Sequence, residues 1–183
     1  MKRITISVGS FEVNCTILHR DGEAWIVDPG GEPRRILGEL KRLALRPRGI
    51  FLTHAHFDHI GGVNAILAAA PGTPVYLGER DFPVVSHPFN QMPPEYPPVA
   101  RIAGLRPASE APLFRVLDTP GHTPGGVSYY LEDFDAGDGA RGLLLSVAMS
   151  PPGKSVRPTE PAKSVSPLSS SPRAPSPASK SSR

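Results

Sequence analysis

The segment Thr53-His54-Ala55-His56-Phe57-Asp58-His59 constrains this chain more than any other. Three histidines and one aspartate fall within six consecutive positions, although the chain has only six histidines, and Gly61-Gly62 follows at once. A polar loop or hydrogen-bonded histidines explain a scattered pattern better than this density. Imidazole and carboxylate together are the donors that borderline metals such as zinc prefer. The flanks place the cluster. Gly49-Ile50-Phe51-Leu52-Thr53 reads as a buried strand, and Ile60 to Ala70, rich in alanine and aliphatics without proline, reads as a helix. In near-extended backbone, residues two apart point the same way, so His54 and His56 can reach one ion together. Asp58 and His59 lie where the helix begins and face a different point. The pattern therefore predicts two metal positions close together.

A chain of 183 residues has room for one domain with a proper core. Its 23 prolines are far above the usual share, and the excess is local. Residues 151–183 hold eight prolines, ten serines, six Lys/Arg and one acid, leaving a body of about −2 and a tail of +5. The basic pI thus comes from the tail, and the body does not read as a nucleic-acid binder. Residues 1–149 are expected to form the folded domain. Residues 150–183 show no apolar periodicity and are expected to be a disordered Ser/Pro/basic tail. Cys15 is the only cysteine, so no intramolecular disulfide can form. No signal peptide and no apolar window of membrane-spanning length is visible, so the expectation is a cytoplasmic protein without membrane contact.

Ile4, Ile6 and Val8 alternate with polar residues as in a half-buried strand. Cys15-Leu18 and Ala24-Val27 are two more strands, joined through Asp21-Gly22, a strong hairpin signal. Asp28-Pro29-Gly30-Gly31 reads as a tight turn. A helix starting at Glu32-Pro33 follows, with Ile36, Leu37, Leu40, Leu43 and Ala44 as its apolar stripe and Pro47 marking its end. Pro74-Leu77 reads as a strand and Glu79-Val85 as a helical turn. The proline-rich stretch from Ser86 to Pro98 reads as a surface loop whose aromatics pack on the body rather than on a substrate. Phe114-Leu117, Gly126-Leu131 and Gly142-Ser146 complete the strands, the last two joined by an acidic hairpin loop holding Asp133, Asp135 and Asp138. The expected class is α/β, layered, with mixed sheets.

A second element follows the strand at 114–117: Asp118-Thr119-Pro120-Gly121-His122-Thr123-Pro124-Gly125-Gly126. A catalytic zinc site needs three protein ligands and an open position. His54 and His56 supply two, and His122 can supply the third, its glycines letting the backbone turn sharply.

Together these residues resemble the metallo-β-lactamase superfamily, and more finely the small hydrolases similar to hydroxyacylglutathione hydrolase (glyoxalase II). Asn14-Cys15-Thr16-Ile17-Leu18, Val27-Asp28-Pro29-Gly30-Gly31, Gly61-Gly62 and the His122 element occur in that family's order, from residue 4 to about 146. The resemblance implies an αββα sandwich with a metal pair at one edge of the sheets. It implies that His54, His56 and His122 hold one ion, that Asp58 and His59 help hold the second, and that no catalytic residue stands apart from these ligands. Asp28 either orients the loop through hydrogen bonds or simply forms the turn. The implied cofactor is zinc, two ions in the family, with iron or manganese as alternatives. The implied substrate is a small acyl or thioester compound, hydrolysed by metal-assisted attack of water whose pKa falls from 15.7 to about 7. A thiolate leaves without much help, since thiols have a pKa of about 8.5. His19 and His87 match no metal motif.

The chain also departs from that family. Val147-Ala148-Met149 follows Ser146 where Gly-Asp is normal, so Ala148 stands where the carboxylate bridging the metals belongs, and no histidine follows His122. The second half of the sandwich is therefore expected to be incomplete, as after a frameshift or truncation at about Ser146. Low metal occupancy is expected, with a weak first site on three histidines and a poorly held second one on Asp58 and His59, together with weak or absent hydrolase activity. Two other readings are a non-haem iron thiol or persulfide oxygenase on the same scaffold and a non-catalytic remnant with a basic tail. A β-lactamase or nuclease role fits less well.

Overall fold

A computed structural model describes residues 1–135 and 141–146. The proposed tail at 150–183, Asp138 and Ala148 lie outside the described residues. The described elements run β1 (Lys2–Val8), β2 (Val13–Arg20), β3 (Glu23–Val27), α1 (Pro33–Arg42), β4 (Arg46–Phe51), α2 (Phe57–Ile60), α3 (Val63–Ala69), β5 (Val75–Leu77), α4 (Phe82–Val85), β6 (Leu105–Pro107), β7 (Arg115–Asp118), β8 (Val127–Asp135) and β9 (Arg141–Leu145). Strands β1 to β6 form one sheet in sequence order, antiparallel from β1 to β3 and parallel from β3 to β6. Strands β7, β8 and β9 form a second, antiparallel sheet.

Strand alternation divides the interior into two layers. Ile17, Ile26 and Ile50 face Ile36 and Leu40 of α1 and Val63 and Ile66 of α3. Their neighbours Leu18, Val27 and Phe51 face the second sheet, against Phe114, Val127, Tyr129 and Leu131. Phe51 anchors this inter-sheet layer, stacked on Tyr76 at 5.1 Å and edge-on to Tyr129 at 5.6 Å. The fold is the expected α/β sandwich in its helix, sheet and sheet layers. No helix covers the outer face of the second sheet among the described residues.

The β2–β3 hairpin turns at Asp21 and Gly22, both with positive φ (53° and 78°), which is the type I′ geometry the Asp-Gly pair favours. Helix α1 ends earlier than the stripe suggested. Ala44 takes a left-handed φ of 53°, Leu45 N–H donates to Leu40 O and Ala44 N–H to Lys41 O. That pair of bonds closes the helix, so Ala44 is exposed rather than on the stripe, and Pro47 lies inside β4. The expected helix from Ile60 to Ala70 is broken at Gly61–Gly62 into α2 and α3. Tertiary contact overrides the helical pattern there. Gly62 N–H donates to Pro29 O at 2.8 Å, and a Cβ on Gly61 would overlap Gly30 O. Strand β8 runs through Asp133 and Asp135, which were expected in the hairpin loop. Strand β6 was missed because three residues ending in proline carry no periodic signal.

Candidate metal centre

The segment from Thr53 to His59 leaves the C-terminal end of β4 in the middle of the first sheet, and α2 begins at Phe57. Its backbone is held at every second residue by a buried polar side chain. Asp28 accepts from Thr53 N–H at 2.8 Å. Asp81 accepts from Ala55 N–H at 3.1 Å. Asn90 accepts from Phe57 N–H at 2.9 Å and donates to Ala55 O at 2.7 Å. The residues between, His54, His56 and Asp58, are left to face the site. The two-residue period read from sequence thus has a physical cause.

The third histidine sits on a loop closed at its base by Thr119 N–H to Gly126 O at 2.9 Å, and Val127 N–H donates to Thr53 O at 2.8 Å beside it. The structure brings His122 to the first pair. Ligand atoms of His54, His56 and His122 all lie within 4.8 Å of one another. His56 Nδ1 and His122 Nε2 are 3.0 Å apart, close to the ~3.3 Å that two nitrogens keep on a tetrahedral ion with bonds of about 2.05 Å.

Hydrogen bonding fixes the tautomer of His54. Thr53 Oγ1 has one proton and gives it to Asp28 Oδ2 at 2.7 Å. It must therefore accept from His54 Nδ1, 3.1 Å away. That leaves Nε2 of His54 as a bare lone pair, buried and without a partner. Burial first, then the neighbouring imidazoles of His59, His56 and His122, pushes the His54 pKa down to about 2, and burial with His122 lowers that of His56. A neutral imidazole with a free lone pair is what a cation requires, and His54 offers one beside the ligand atoms of His56 and His122, so the trio fits a metal ion.

Asp58 and His59 lie beside this group. The His59 ring is 4.1 Å from that of His54, and His59 Nε2 is 3.7 Å from Asp58 Oδ2. His59 Nδ1 approaches Asp28 Oδ2 to 3.1 Å, near enough for an ion pair but off the line of a hydrogen bond. Burial pulls its pKa down, yet the Asp28 and Asp58 carboxylates outweigh that and raise it. Asp28 therefore does more than form a turn: it serves Thr53 and His59 at once. Among the described residues only the histidine trio forms a group of three ligands.

A cavity of about 280 Å³ adjoins His54 and His122 and is bordered by Thr119, Thr123 and Ser146. Concavities of about 430 and 530 Å³ elsewhere carry no imidazole, so chemistry rather than size places the site. In the proline-rich loop, Tyr96 packs on Phe57 at 5.1 Å as expected, whereas Phe89 is 88% exposed. Sequence reasoning missed Asp81 and Asn90. Each is a single polar residue in an unremarkable stretch, with no spacing to mark it. His19 and His87 stay outside the cluster.

The profile of the metallo-β-lactamase superfamily matches residues 8–134. A probable metallo-hydrolase, YqgX of Bacillus subtilis, is 33% identical over 153 residues, covering 74% of this chain and 68% of YqgX. Hydroxyacylglutathione hydrolases of Albidiferax ferrireducens and Hahella chejuensis are 35% and 37% identical, over 65% and 60% of this chain. The chain spans only 42% and 37% of their lengths. Among solved structures, the B3 metallo-β-lactamase BLEG-1 is 35% identical with a TM-score of 0.63, over 71% of this chain and 67% of that one. TTHA1623 in a di-iron-bound form is 30% identical with a TM-score of 0.55, over 69% and 65%.

Proposed function

The chain belongs to the metallo-β-lactamase superfamily, and from that premise we propose that it is a metal-dependent hydrolase of small acyl or thioester substrates. The observation that carries the reading is the buried, partnerless Nε2 of His54 aimed among the ligand atoms of His56 and His122. These three residues hold one ion, zinc or iron. Asp58 and His59 contribute to a second position that is weaker, because two ligands bind a cation less well than three. A bound ion supplies Lewis acidity at the scissile carbonyl and lowers the pKa of water.

The protein's own groups do the rest. Asp28 and Thr53 keep His54 in the tautomer that presents Nε2. The cavity beside His122 admits an acyl group, and the hydroxyls of Thr119 and Ser146, linked through that of buried Ser128 (3.0 and 2.8 Å), give it a polar wall. Hydroxyacylglutathione-like thioesters are the favoured class because of the 35–37% identical relatives named for that activity. TTHA1623 is solved in a di-iron-bound form, which supports iron as the ion, and iron at these ligands is what a second reading, oxidation of a thiol or persulfide, requires.

The test loads the purified protein with zinc or iron, counts bound metal, and assays a hydroxyacylglutathione thioester, a β-lactam and a persulfide with oxygen uptake. About one bound ion and at most weak thioester turnover are expected, since the carboxylate that bridges two metals and a late histidine are missing from the sequence. Oxygen uptake with iron in place of turnover favours the second reading. Two tightly bound ions contradict the weak second position, and no bound metal sinks the proposal.

A further inference from the structure

Asp81 lies in neither ligand segment, yet its carboxylate touches both. It is fully buried, in the turn between β5 and α4. Oδ2 accepts from Ala55 N–H at 3.1 Å and from Thr123 Oγ1–H at 2.7 Å, and Oδ1 accepts from Gly125 N–H at 2.7 Å. Ala55 sits between His54 and His56. Thr123 follows His122. One side chain therefore spans the gap across which the three imidazoles must converge.

The close approach is built into the backbone on both sides. A Cβ on Gly125 would fall 2.5 Å from Asp81 N, and one on Gly78 would overlap Gly125 O. The His122 loop has its own closing bond at the base, between Thr119 and Gly126, but its tip is tied to the β5–α4 turn through Asp81. His122 itself is exposed, so packing does little to hold it. A buried carboxylate is costly unless its oxygens are hydrogen-bonded, and here they receive three donors from two loops. The charge has a further consequence. Imidazoles bring no negative charge to a dication, whereas the Asp81 carboxylate sits behind both loops that carry them.

We propose that Asp81 is a positioning residue for metal capture, holding the His122 loop at the distance from His54 and His56 that lets all three imidazoles meet one ion. The inference rests on the reading of these histidines as a metal site. Without the clamp, the third ligand would come from a loop tethered at its base, and a bound ion would more readily lose it to water.

The experiment compares wild type, Asp81→Asn, Thr123→Val and the double variant. It measures zinc affinity by competition with a chromophoric chelator, the visible spectrum of the cobalt-loaded protein, and the melting temperature of the metal-free protein. Asp81→Asn is expected to weaken zinc binding about 10- to 100-fold and to alter the cobalt spectrum as a nitrogen ligand is lost. Thr123→Val, which removes one tether and leaves the charge, is expected to weaken binding less. The double variant is expected to be no weaker than Asp81→Asn, because both changes cut the same link. A lower melting temperature with unchanged zinc affinity makes Asp81 merely structural and overturns the inference. Should Asp81→Asn fail to fold, Thr123→Val decides, and unchanged affinity in it overturns the inference equally. A wild type that binds neither zinc nor iron removes the metal reading and this inference with it, whereas a metal-binding wild type with unaffected variants removes the inference alone.

Discussion

The hydroxyl of Thr53 accepts a hydrogen bond from Nδ1 of His54 at 3.1 Å, because its own proton is committed to Asp28 at 2.7 Å. Through Thr53, the Asp28 carboxylate thereby dictates which nitrogen of His54 is bare. Replacing Thr53 with valine keeps the shape and removes the hydroxyl. His54 is then free to turn or to change tautomer, and Asp28 loses one of its donors. Zinc affinity is expected to drop about 10- to 100-fold in Thr53→Val, with the far-ultraviolet circular dichroism unchanged. Affinity equal to wild type by chelator competition disproves the relay. Thr53→Ser, which keeps the hydroxyl, is expected to restore most of the binding.

The same imidazoles make the metal-free protein sensitive to acid. Burial among other imidazoles pushes His54 down to about 2 and lowers His56 as well. In the unfolded chain both titrate near 6.5, so below about that pH the unfolded state binds protons that the folded state refuses. Their contribution falls as pH falls. His59 acts in the opposite sense: burial lowers its pKa, but the carboxylates of Asp28 and Asp58 raise it overall. Its stabilisation is complete below about 6.5 and fades as pH climbs through the raised value. Two lowered groups, one of them displaced to about 2, outweigh one raised group. Thermal melts in chelator are expected to show a falling melting temperature from about pH 6.5 to pH 5, a slope that His54→Gln reduces. A flat profile in the wild type refutes this.

The cluster from His54 to His59 and the turn at His122 were legible in sequence because metal ligands are chemically rare and must recur at fixed spacing. The strand before them was legible too, since Ile50, Phe51 and Leu52 are apolar on both faces and the strand is buried on both. The helix from Ile60 was misjudged at Gly61–Gly62 because its break comes from Pro29 and Gly30, some thirty residues away. Asp81 and Asn90 were invisible for a similar reason. Each acts by hydrogen-bonding backbone atoms of a distant segment, and backbone partners leave no mark on the sequence that presents them. Asp28 was half-legible: its Pro-Gly neighbours announced a turn and concealed the two bonds it makes to Thr53.

Two glycines are expected to respond to alanine with opposite signs. Gly38 lies in α1, exposed, with nothing within 4 Å of the position a Cβ would take. Alanine there restricts the unfolded chain and favours the helix, so Gly38→Ala is expected to stabilise by about 0.5–1 kcal/mol. Gly62 has an ordinary helical φ, but its Cβ would stand 2.5 Å from Pro29 O, a backbone atom that cannot swing aside. Gly62→Ala is expected to destabilise by roughly 1–3 kcal/mol and to loosen the α2–α3 junction on which Asp58 and His59 sit. Urea titrations of both variants measure the two signs. Equal shifts in one direction would show that helix propensity rather than backbone contact governs Gly62.

His59 and His122 are both candidate ligands, but their surroundings assign them different weight. His122 Nε2 is 3.0 Å from His56 Nδ1 and completes a group of three ligand atoms. His59 leans on Asp28 and Asp58, and among the described residues it belongs to no group of three converging ligand atoms. If the trio holds the tight ion, His122→Asn removes a ligand from it, and stoichiometry under chelator challenge is expected to fall from about one to near zero. His59→Asn leaves the trio intact, so the tight ion is expected to remain, with affinity changed less than about threefold, a shift of roughly 0.7 kcal/mol. The ring of His59 lies 4.1 Å from that of His54, so its loss also takes away a crowding imidazole without touching a bond to the ion. Metal analysis of the two variants after dialysis against a chelator gives the answer. Equal loss in both makes the centre a single shared unit of four histidines rather than a trio with a weak neighbour.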